Sequence, residues 1–364
     1  MGAVDAVGIT GQAQNMTIDH APVQAMRLAE PGDLSTNRLE MVDAANTDLL
    51  AAEVRIDVAA CAVCRTDLQL SAGDLVAHKL PIVPGHQVVG VISEVGADIA
   101  RSRVGQEVGV SWFGGSCGRC PWCLDGRENL CERAQFTGWD RNGGFTNSMV
   151  ARSDCAFELP SDIFPSLTGT ARATEIAPLL CGGVIGYRSL RVAGIGADSA
   201  GLRLGLYGYG ASATLVAQLA KFWGVETHVV TRSKAEVERA LRAGVDWAGT
   251  YDDVLPIKLD AAITFAPSGD VVISALKSLE RGGTVTINAI HLDRIPQFNY
   301  DDLWWERSLK SVANVTPHDV REFLDLVGPA GIQTIHEDLP LKEANTALRR
   351  LDEGDVTGSF VLTT

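Results

Sequence analysis

Four cysteines lie within fifteen residues of one another, in the run CGRCPWCLDGRENLC. Their spacing, C-x2-C-x2-C-x7-C, suits a tetrahedral shell of four thiolates around one Zn²⁺ ion. Such a shell leaves no coordination position for a substrate, so the ion would hold a loop together and catalysis would take place elsewhere. Two disulfides or scattered free thiols are the alternatives, but the rest of the sequence does not resemble a secreted protein. We therefore predict a structural zinc site formed by Cys117, Cys120, Cys123 and Cys131.

Length and composition favour a two-domain soluble protein. The chain has 364 residues, of which 46% are hydrophobic, and this allows two ordinary hydrophobic cores. A net charge of -14 argues against nucleic acid as a partner, and we find no apolar run of the ~20 residues that span a membrane. Residues 1–20 lack the pattern of a secretory signal and are predicted to form an N-terminal extension. Eight cysteines without such a signal predict reduced thiols and a cytoplasmic location.

Two kinds of pattern follow one another along the chain. Residues 21–160 contain short strand-like segments separated by glycine and proline. Residues 182–316 alternate strand-like runs with helical segments, which is typical of a parallel, doubly wound sheet. The tail contains two helical stretches and a final strand, which suggests that the chain returns to its first domain. We predict an α/β fold with a β-rich domain, residues 21–181 and 317–364, and a parallel-sheet domain, residues 182–316.

A glycine-rich turn follows the first strand of the predicted parallel sheet and begins a helix. It matches the pattern G-x-G-x-x-A, in which the first glycine allows a tight turn and the second lets a pyrophosphate approach the backbone. The small final residue allows the helix to pack closely on the strand. Because a strand precedes it and a helix follows, the motif predicts a dinucleotide site instead of an ordinary turn. The residues concerned are Gly208, Gly210, Ala211, Ser212 and Ala213.

The end of the next strand indicates which dinucleotide binds. Sites for NAD carry Asp or Glu there, whereas this chain has Thr231, Arg232 and Ser233, and Glu226 lies at the opposite end of the strand. An arginine pairs with a 2′-phosphate through two hydrogen bonds, and a serine hydroxyl donates another. The sequence therefore predicts a preference for NADP(H). The alternative is that Arg232 is an ordinary solvent-exposed side chain.

Three further potential metal ligands are spread along the chain. They are Cys64 in CRTD, His86 in PGHQ and Cys181 in CGG, immediately before the α/β region. Two thiolates and one imidazole leave one position open on a zinc ion, which is the arrangement of a catalytic site. Each residue alone is a weak signal, because a single buried cysteine or histidine usually serves only packing.

Taken together, these motifs resemble the zinc-dependent alcohol dehydrogenases of the medium-chain dehydrogenase/reductase superfamily. The resemblance runs from about residue 21 to the C-terminus and rests on VCRTDL, PGHQVVG, the four clustered cysteines, GGFTNSMVA, CGGVIGYRSL, GYGASA and GSFVL, all in the family's order. It implies a GroES-like catalytic domain with a structural-zinc lobe at residues 112–135, and a Rossmann cofactor domain. It also implies that Cys64, His86 and Cys181 hold the catalytic zinc. Asp67 would then hydrogen-bond the histidine, and Thr66 would hydrogen-bond the substrate oxygen.

Two positions depart from the family's pattern. Gln87 stands where the family commonly has Glu; it can offer an amide oxygen to the metal but carries no charge. Gln69 stands where many members have a proton-relaying His, and an amide does not titrate near neutral pH. The proton would then leave through the cofactor ribose and water, or the enzyme would favour reduction. Cys61 fits no ligand position and is assigned to packing.

The resemblance implies an enzyme that transfers hydride between NADP(H) and a primary alcohol or aldehyde, with two zinc ions per chain in a homodimer or homotetramer. Trp112 and Phe113 would line an apolar pocket for aromatic or medium-chain substrates, unless they are ordinary core residues. Two alternatives stay open. One is a reductase of polarised C=C bonds or a polyol dehydrogenase on the same fold; the other is a non-catalytic NADPH-binding sensor that has lost the catalytic metal.

Overall fold

The computed structural model describes residues 22–290 and 292–364. The predicted N-terminal extension, residues 1–20, lies outside the described residues. Among the residues that are described, no helix has both the length and the apolar character needed to cross a bilayer.

The described part of the chain contains seventeen strands and nine α-helices. The strands are β1 (Val23–Leu28), β2 (Leu39–Ala44), β3 (Glu53–Val63), β4 (Gln87–Val95), β5 (Glu107–Val110), β6 (Phe113–Gly115), β7 (Gln135–Phe136), β8 (Ser148–Arg152), β9 (Ala156–Glu158), β10 (Arg203–Tyr207), β11 (Glu226–Thr231), β12 (Trp247–Thr250), β13 (Leu259–Thr264), β14 (Leu279–Ile287), β15 (Ser308–Ser311), β16 (His336–Pro340) and β17 (Ser359–Thr363). The helices are α1 (Arg65–Ala72), α2 (Pro121–Leu124), α3 (Gly169–Ile176), α4 (Gly182–Ala193), α5 (Ala211–Phe222), α6 (Lys234–Arg242), α7 (Gly269–Ser278), α8 (Pro317–Ala330) and α9 (Ala344–Glu353).

The first sheet is built around the long strand β3. Its strands follow the order β16-β17-β3-β4-β5-β9, and β8 pairs with the first half of β3 on the edge opposite β4. All pairs are antiparallel except β16 with β17. The sequence of β3, EVRIDVAACAV, is rich in valine, isoleucine and alanine and is buried along most of its length, because three strands pair with it and α3 packs on it.

The second sheet is entirely parallel, with the order β12-β11-β10-β13-β14-β15. Numbered within the sheet, this is the 3-2-1-4-5-6 order of dinucleotide-binding folds, and it confirms the predicted doubly wound sheet. The strand order reverses between β10 and β13. Ligands of such folds bind at the carboxyl ends of the strands beside this reversal, which is where the G-x-G-x-x-A turn lies.

The C-terminal tail contacts the first sheet and two helices that pack on the second. Strand β17 pairs with β3, and Leu362 lies opposite Cys61. Helix α8 instead packs against α4 and α5, where the fully buried Asp319 accepts hydrogen bonds from Arg188 and Arg191 at 3.1 and 2.9 Å. The predicted domain boundaries after residues 181 and 316 stay predictions.

The largest hydrophobic core joins the two sheets. It contains Val89 of the first sheet and Leu206 of the second, together with Leu179 and Leu180. These two leucines directly precede Cys181 and are almost completely buried. Their burial fixes the start of α4 in the crevice between the sheets.

Candidate active site

Cys64, His86 and Cys181 come together at this crevice. Their ligand atoms all lie within 4.8 Å of one another, and Cys64 Sγ is 3.3 Å from His86 Nε2. Cys64 follows β3 and His86 precedes β4; because the two strands are antiparallel neighbours, the end of one lies beside the start of the other. Cys181 is the N-cap residue of α4.

The first turn of α1 orients two of these residues. Asp67, which is 2% exposed, accepts hydrogen bonds from the backbone N–H groups of Cys64 at 2.9 Å and Gly85 at 3.0 Å. Its Oδ1 also lies 3.3 Å from His86 Nδ1. This contact fixes the imidazole ring so that Nε2 faces the cysteine sulfur.

The backbone at Gly85 is compatible only with glycine. Its φ angle is +95°, in the left-handed region that side chains rarely adopt. A Cβ added there would collide with the ring of Phe145 and the sulfur of Cys61. Only glycine therefore fits at position 85, and the turn it allows directs the next residue, His86, inward.

The chemistry of this donor set fits a zinc ion. Tetrahedral coordination by sulfur and nitrogen places the donor atoms roughly 3.4–3.8 Å apart, which matches the clustering seen here. The hydrogen bond from Cys181 is the main cause that lowers the pKa of the Cys64 thiol, and the same bond raises the pKa of Cys181. The two buried sulfurs thus compete for one negative charge, and a divalent cation would allow both to be thiolates.

A second group of potential metal ligands lies in the lobe that follows β6. The sulfurs of Cys117, Cys120, Cys123 and Cys131 lie within 4.8 Å of one another, with Cys120 and Cys123 3.5 Å apart. The pKa of Cys117 is lowered to about 6, mainly because its sulfur accepts a hydrogen bond from the backbone N–H of Arg119. The eight cysteines of the chain, all in described positions, are free thiols. This arrangement fits the predicted structural zinc site better than a pair of disulfides.

The glycine-rich turn lies next to the first cluster. Gly208 has a φ of +97°, and a Cβ added to Gly210, the N-cap of α5, would meet nothing within 4 Å. Ala213 is fully buried against the sheet, while Ala211 and Ser212 are half-buried at the helix start. The open side of this turn and the free N–H groups of α5 fit a pyrophosphate. A Cβ added at Gly182, immediately after Cys181, would lie 3.2 Å from Ser212 Oγ, so the two sites adjoin.

The end of β11 carries the predicted specificity residues. Thr231 is 1% exposed, Arg232 is exposed, and Ser233 caps α6 by accepting the backbone N–H of Glu236 at 3.2 Å. The structure also places the Glu236 carboxylate here, 2.5 Å from Thr231 Oγ1. Glu236 was not predicted from the sequence, because only an acid at the end of the strand was considered there. The sequence signal for Glu236 is an acid three residues after an N-cap serine.

An aromatic wall extends outward from His86. It consists of Trp112, Phe136, Trp139 and His78. The Trp112 ring lies 6.0 Å from that of His86 and 5.0 Å from Phe136, and His78 stacks on Trp139 at 3.8 Å. Only Trp112 was expected from the sequence, although QFTGW soon after the cysteine loop was a visible aromatic signal. Phe113 is 2% exposed within the largest core, so it offers a substrate little surface and its pocket role stays a prediction.

Known alcohol dehydrogenases resemble this chain over most of its length. Residues 51–161 match the family model for the alcohol dehydrogenase GroES-like domain. A probable alcohol dehydrogenase, AdhA, of Mycobacterium tuberculosis is 40% identical over 94% of this chain and 97% of its own length. Cinnamyl alcohol dehydrogenase 7 of Arabidopsis thaliana is 30% identical over 85% of this chain and 88% of its own. The solved structure of a cinnamyl alcohol dehydrogenase from Sorghum bicolor superposes with a TM-score of 0.82 at 25% identity, covering 94% of this chain and 97% of that one.

The chain belongs to the zinc-dependent alcohol dehydrogenase family. The match confirms the resemblance and, with the two sheets, the predicted combination of a GroES-like unit and a Rossmann sheet.

In this alcohol dehydrogenase the two departures from the family's pattern have distinct surroundings. Gln87 is 2% exposed, and its amide nitrogen donates to the carbonyl of Ala62 at 3.2 Å. Gln69 lies half-buried on α1, the helix whose first turn orients the cluster. Thr66, on the same helix, is buried, and its backbone N–H donates to Cys64 Sγ at 3.2 Å. Gln69, Gln87 and Thr66 therefore lie within a few residues of Cys64 or His86 in the sequence.

Proposed function

We propose that this chain is a zinc-dependent alcohol dehydrogenase that transfers hydride between NADP(H) and a primary alcohol or aldehyde, of aromatic or medium-chain type. The proposal rests mainly on one observation. A Cys-His-Cys donor set, which supplies three of the four ligands of a tetrahedral zinc ion, adjoins a glycine-rich turn that fits a pyrophosphate. The two sites that hydride transfer needs are thus in one crevice. A cytoplasmic homodimer or homotetramer with two zinc ions per chain remains our prediction.

Within this proposal the chain's own residues have separate roles. Cys64, His86 and Cys181 would hold the catalytic zinc, which supplies Lewis-acid polarisation of a carbonyl oxygen when bound. Asp67 keeps the proton of His86 on Nδ1, so that Nε2 is free to act as a ligand. Thr66 would share a proton with the substrate oxygen through its hydroxyl.

The proton must reach solvent without a histidine relay. Gln69 occupies the relay position of the family and does not titrate near neutral pH. We propose that the proton passes from Thr66 through the cofactor ribose to water, or that the enzyme works mainly as a reductase. In the second case the chain takes up a proton, and the substrate would be an aldehyde.

The aromatic wall supports a planar or medium-chain apolar substrate. Ring faces of Trp112 and Phe136 stack favourably on aromatic ligands. The indole N–H of Trp112 is buried and has no hydrogen-bond partner among the described residues. The relatives from Arabidopsis and Sorghum are described as cinnamyl alcohol dehydrogenases, and this agrees with an aromatic aldehyde.

The decisive test is the initial rate of NADPH consumption with benzaldehyde and cinnamaldehyde, using purified protein of measured zinc content and NADH in parallel. We expect cinnamyl alcohol as the product and a faster rate with NADPH. Saturated aldehyde as the product would favour C=C reduction, and turnover of mannitol instead would favour a polyol dehydrogenase. One zinc per chain and no turnover would favour the sensor.

Replacing Arg232 with alanine should weaken NADPH binding and leave NADH binding nearly unchanged. A charge-assisted hydrogen bond contributes about 1.5–3 kcal/mol, but Arg232 is exposed, so we expect the KM for NADPH to rise about tenfold. Arg242→Ala is the matched control, because this exposed arginine lies at the far end of α6 and pairs with Glu238. Equal losses for NADPH and NADH would contradict a role in binding the 2′-phosphate.

Replacing Trp139 with alanine should raise the KM for cinnamaldehyde more than the KM for acetaldehyde. Its ring lies 6.0 Å from Trp112 and 5.6 Å from Phe136, and an aromatic pair contributes about 0.5–1.5 kcal/mol. We therefore expect a change of roughly two- to tenfold for the large substrate. Acetaldehyde, which is too short to reach this part of the wall, is the internal control. The same change for both aldehydes would argue against the wall as a substrate surface.

A further inference from the structure

Arg232 is not alone at the carboxyl end of β11. Thr231, the last residue of this strand, donates its hydroxyl to the Glu236 carboxylate at 2.5 Å. Glu236 is the third residue of α6, and its backbone N–H donates to the Ser233 hydroxyl oxygen at 3.2 Å. The carboxylate is thus fixed at the strand end by its own helix cap and by the threonine.

The same end of β11 lies beside the glycine-rich turn. Strands β10 and β11 are parallel neighbours, and the N–H of Gly208 donates to the carbonyl of Val230 at 2.8 Å. One turn after Glu236, the guanidinium of Arg239 donates to the carbonyl of Tyr209 within the glycine turn and lies 5.6 Å from its ring. The first two turns of α6 therefore pack against the place where the dinucleotide would bind.

A carboxylate at this place recognises a ribose. In dinucleotide-binding folds an acid near the end of the second strand accepts the 2′-hydroxyl of NAD, and it repels the 2′-phosphate of NADP. In this chain the strand carries no acid at that end, but Glu236 supplies one from the following helix. We propose that Glu236 sets the dinucleotide specificity, by accepting the 2′-hydroxyl of NAD(H) and opposing the 2′-phosphate of NADP(H). This inference rests on the proposed function.

Glu236 and Arg232 act on a common site with opposite charges. Tyr251, which follows β12, has a pKa that burial raises; the charge of Glu236 raises it further and that of Arg232 lowers it. Both charges therefore act on the same hydroxyl, in opposite directions. Their opposition predicts that the unaltered enzyme accepts both dinucleotides, with a preference for NADPH that Glu236 limits.

The test measures the dissociation constants of NADPH and NADH by fluorescence titration for the unaltered chain and for Glu236→Gln. Glutamine keeps the length of the side chain and can still accept from Thr231. We expect NADPH to bind at least fivefold more tightly and NADH at least threefold more weakly. Glu238→Gln is the control, because it removes the same charge from the same helix at a position that is exposed and paired with Arg242. Its ratio of the NADPH to the NADH dissociation constant should stay within twofold of that of the unaltered chain.

Three results would overturn the inference, and they differ from one another. A changed melting temperature with an unchanged NADPH-to-NADH ratio would mean that Glu236 only stabilises the start of α6. An equal shift in Glu238→Gln would assign the effect to net charge. If the unaltered chain bound neither dinucleotide, the proposed function itself would fail, and this inference with it.

Discussion

Replacing Cys64 with alanine should abolish turnover while dinucleotide binding stays within about twofold of the unaltered chain. The substitution leaves only His86 and Cys181 in the cluster, and two ligands do not retain a zinc ion against solvent. Polarisation of the reacting oxygen would be lost, so we expect kcat to fall roughly a thousandfold or more. The glycine turn and the start of α6 follow strands of the parallel sheet, so we expect them to remain intact. The measurements are turnover, zinc content, which should fall from two ions to one, and NADPH affinity.

Cys61→Ala is the matched control for this variant. Cys61 lies on β3, three residues before Cys64, and is 1% exposed, but it does not belong to the Cys64–His86–Cys181 cluster. Removing its sulfur should cost about 1 kcal/mol of stability and leave two zinc ions and near-normal turnover. Cys64→Ala also removes the cap of α1, which costs about 1 kcal/mol, so both variants lose similar stability. Undiminished turnover in Cys64→Ala would refute the zinc mechanism.

The features that the sequence predicted best are those encoded within a short segment. The four lobe cysteines span fifteen residues, so their spacing alone limits how far apart the sulfurs can lie. The glycine turn is similar: Gly208 adopts a positive φ and Gly210 faces open space, as a strand–turn–helix motif requires. In both cases local chain geometry determines the site, and a sequence pattern is sufficient.

The features that were missed depend on how separate segments pack. Glu236 becomes part of the site only because α6 lies against the end of β11 and the glycine turn. Trp139 and His78 are sixty-one residues apart, and their rings stack where the Trp139 indole donates to the carbonyl of Val76 and His78 contacts Asp140. No spacing rule predicts such contacts. The Cys-His-Cys cluster is intermediate, because Cys64, His86 and Cys181 were recognised from the family's motif order and not from their spacing.

Replacing Cys120 with serine should destabilise the whole chain without altering the Cys64–His86–Cys181 cluster. Three sulfurs hold zinc far more weakly than four, and a structural zinc contributes its binding free energy to folding. The lobe is also tied to the parallel-sheet unit, because Asn129 donates to the carbonyl of Ala313 at 2.8 Å. Loss of the ion should therefore loosen both the lobe and this contact. We expect one zinc per chain and a melting temperature lower by at least about 5 °C, measured by scanning calorimetry and metal analysis.

A second cysteine variant, Cys155→Ala, and a reductant distinguish a zinc-bound lobe from one closed by disulfides. Cys155 is a buried cysteine outside both clusters, so its replacement should leave two zinc ions and change the melting temperature much less. If the lobe were closed by disulfides, dithiothreitol would lower the melting temperature of the unaltered chain and a chelator would not. A zinc clip predicts the reverse, since its thiolates are already reduced and only loss of the ion opens the lobe. Retention of two zinc ions by Cys120→Ser would show that Cys120 is not a ligand, and the lobe would then need another donor.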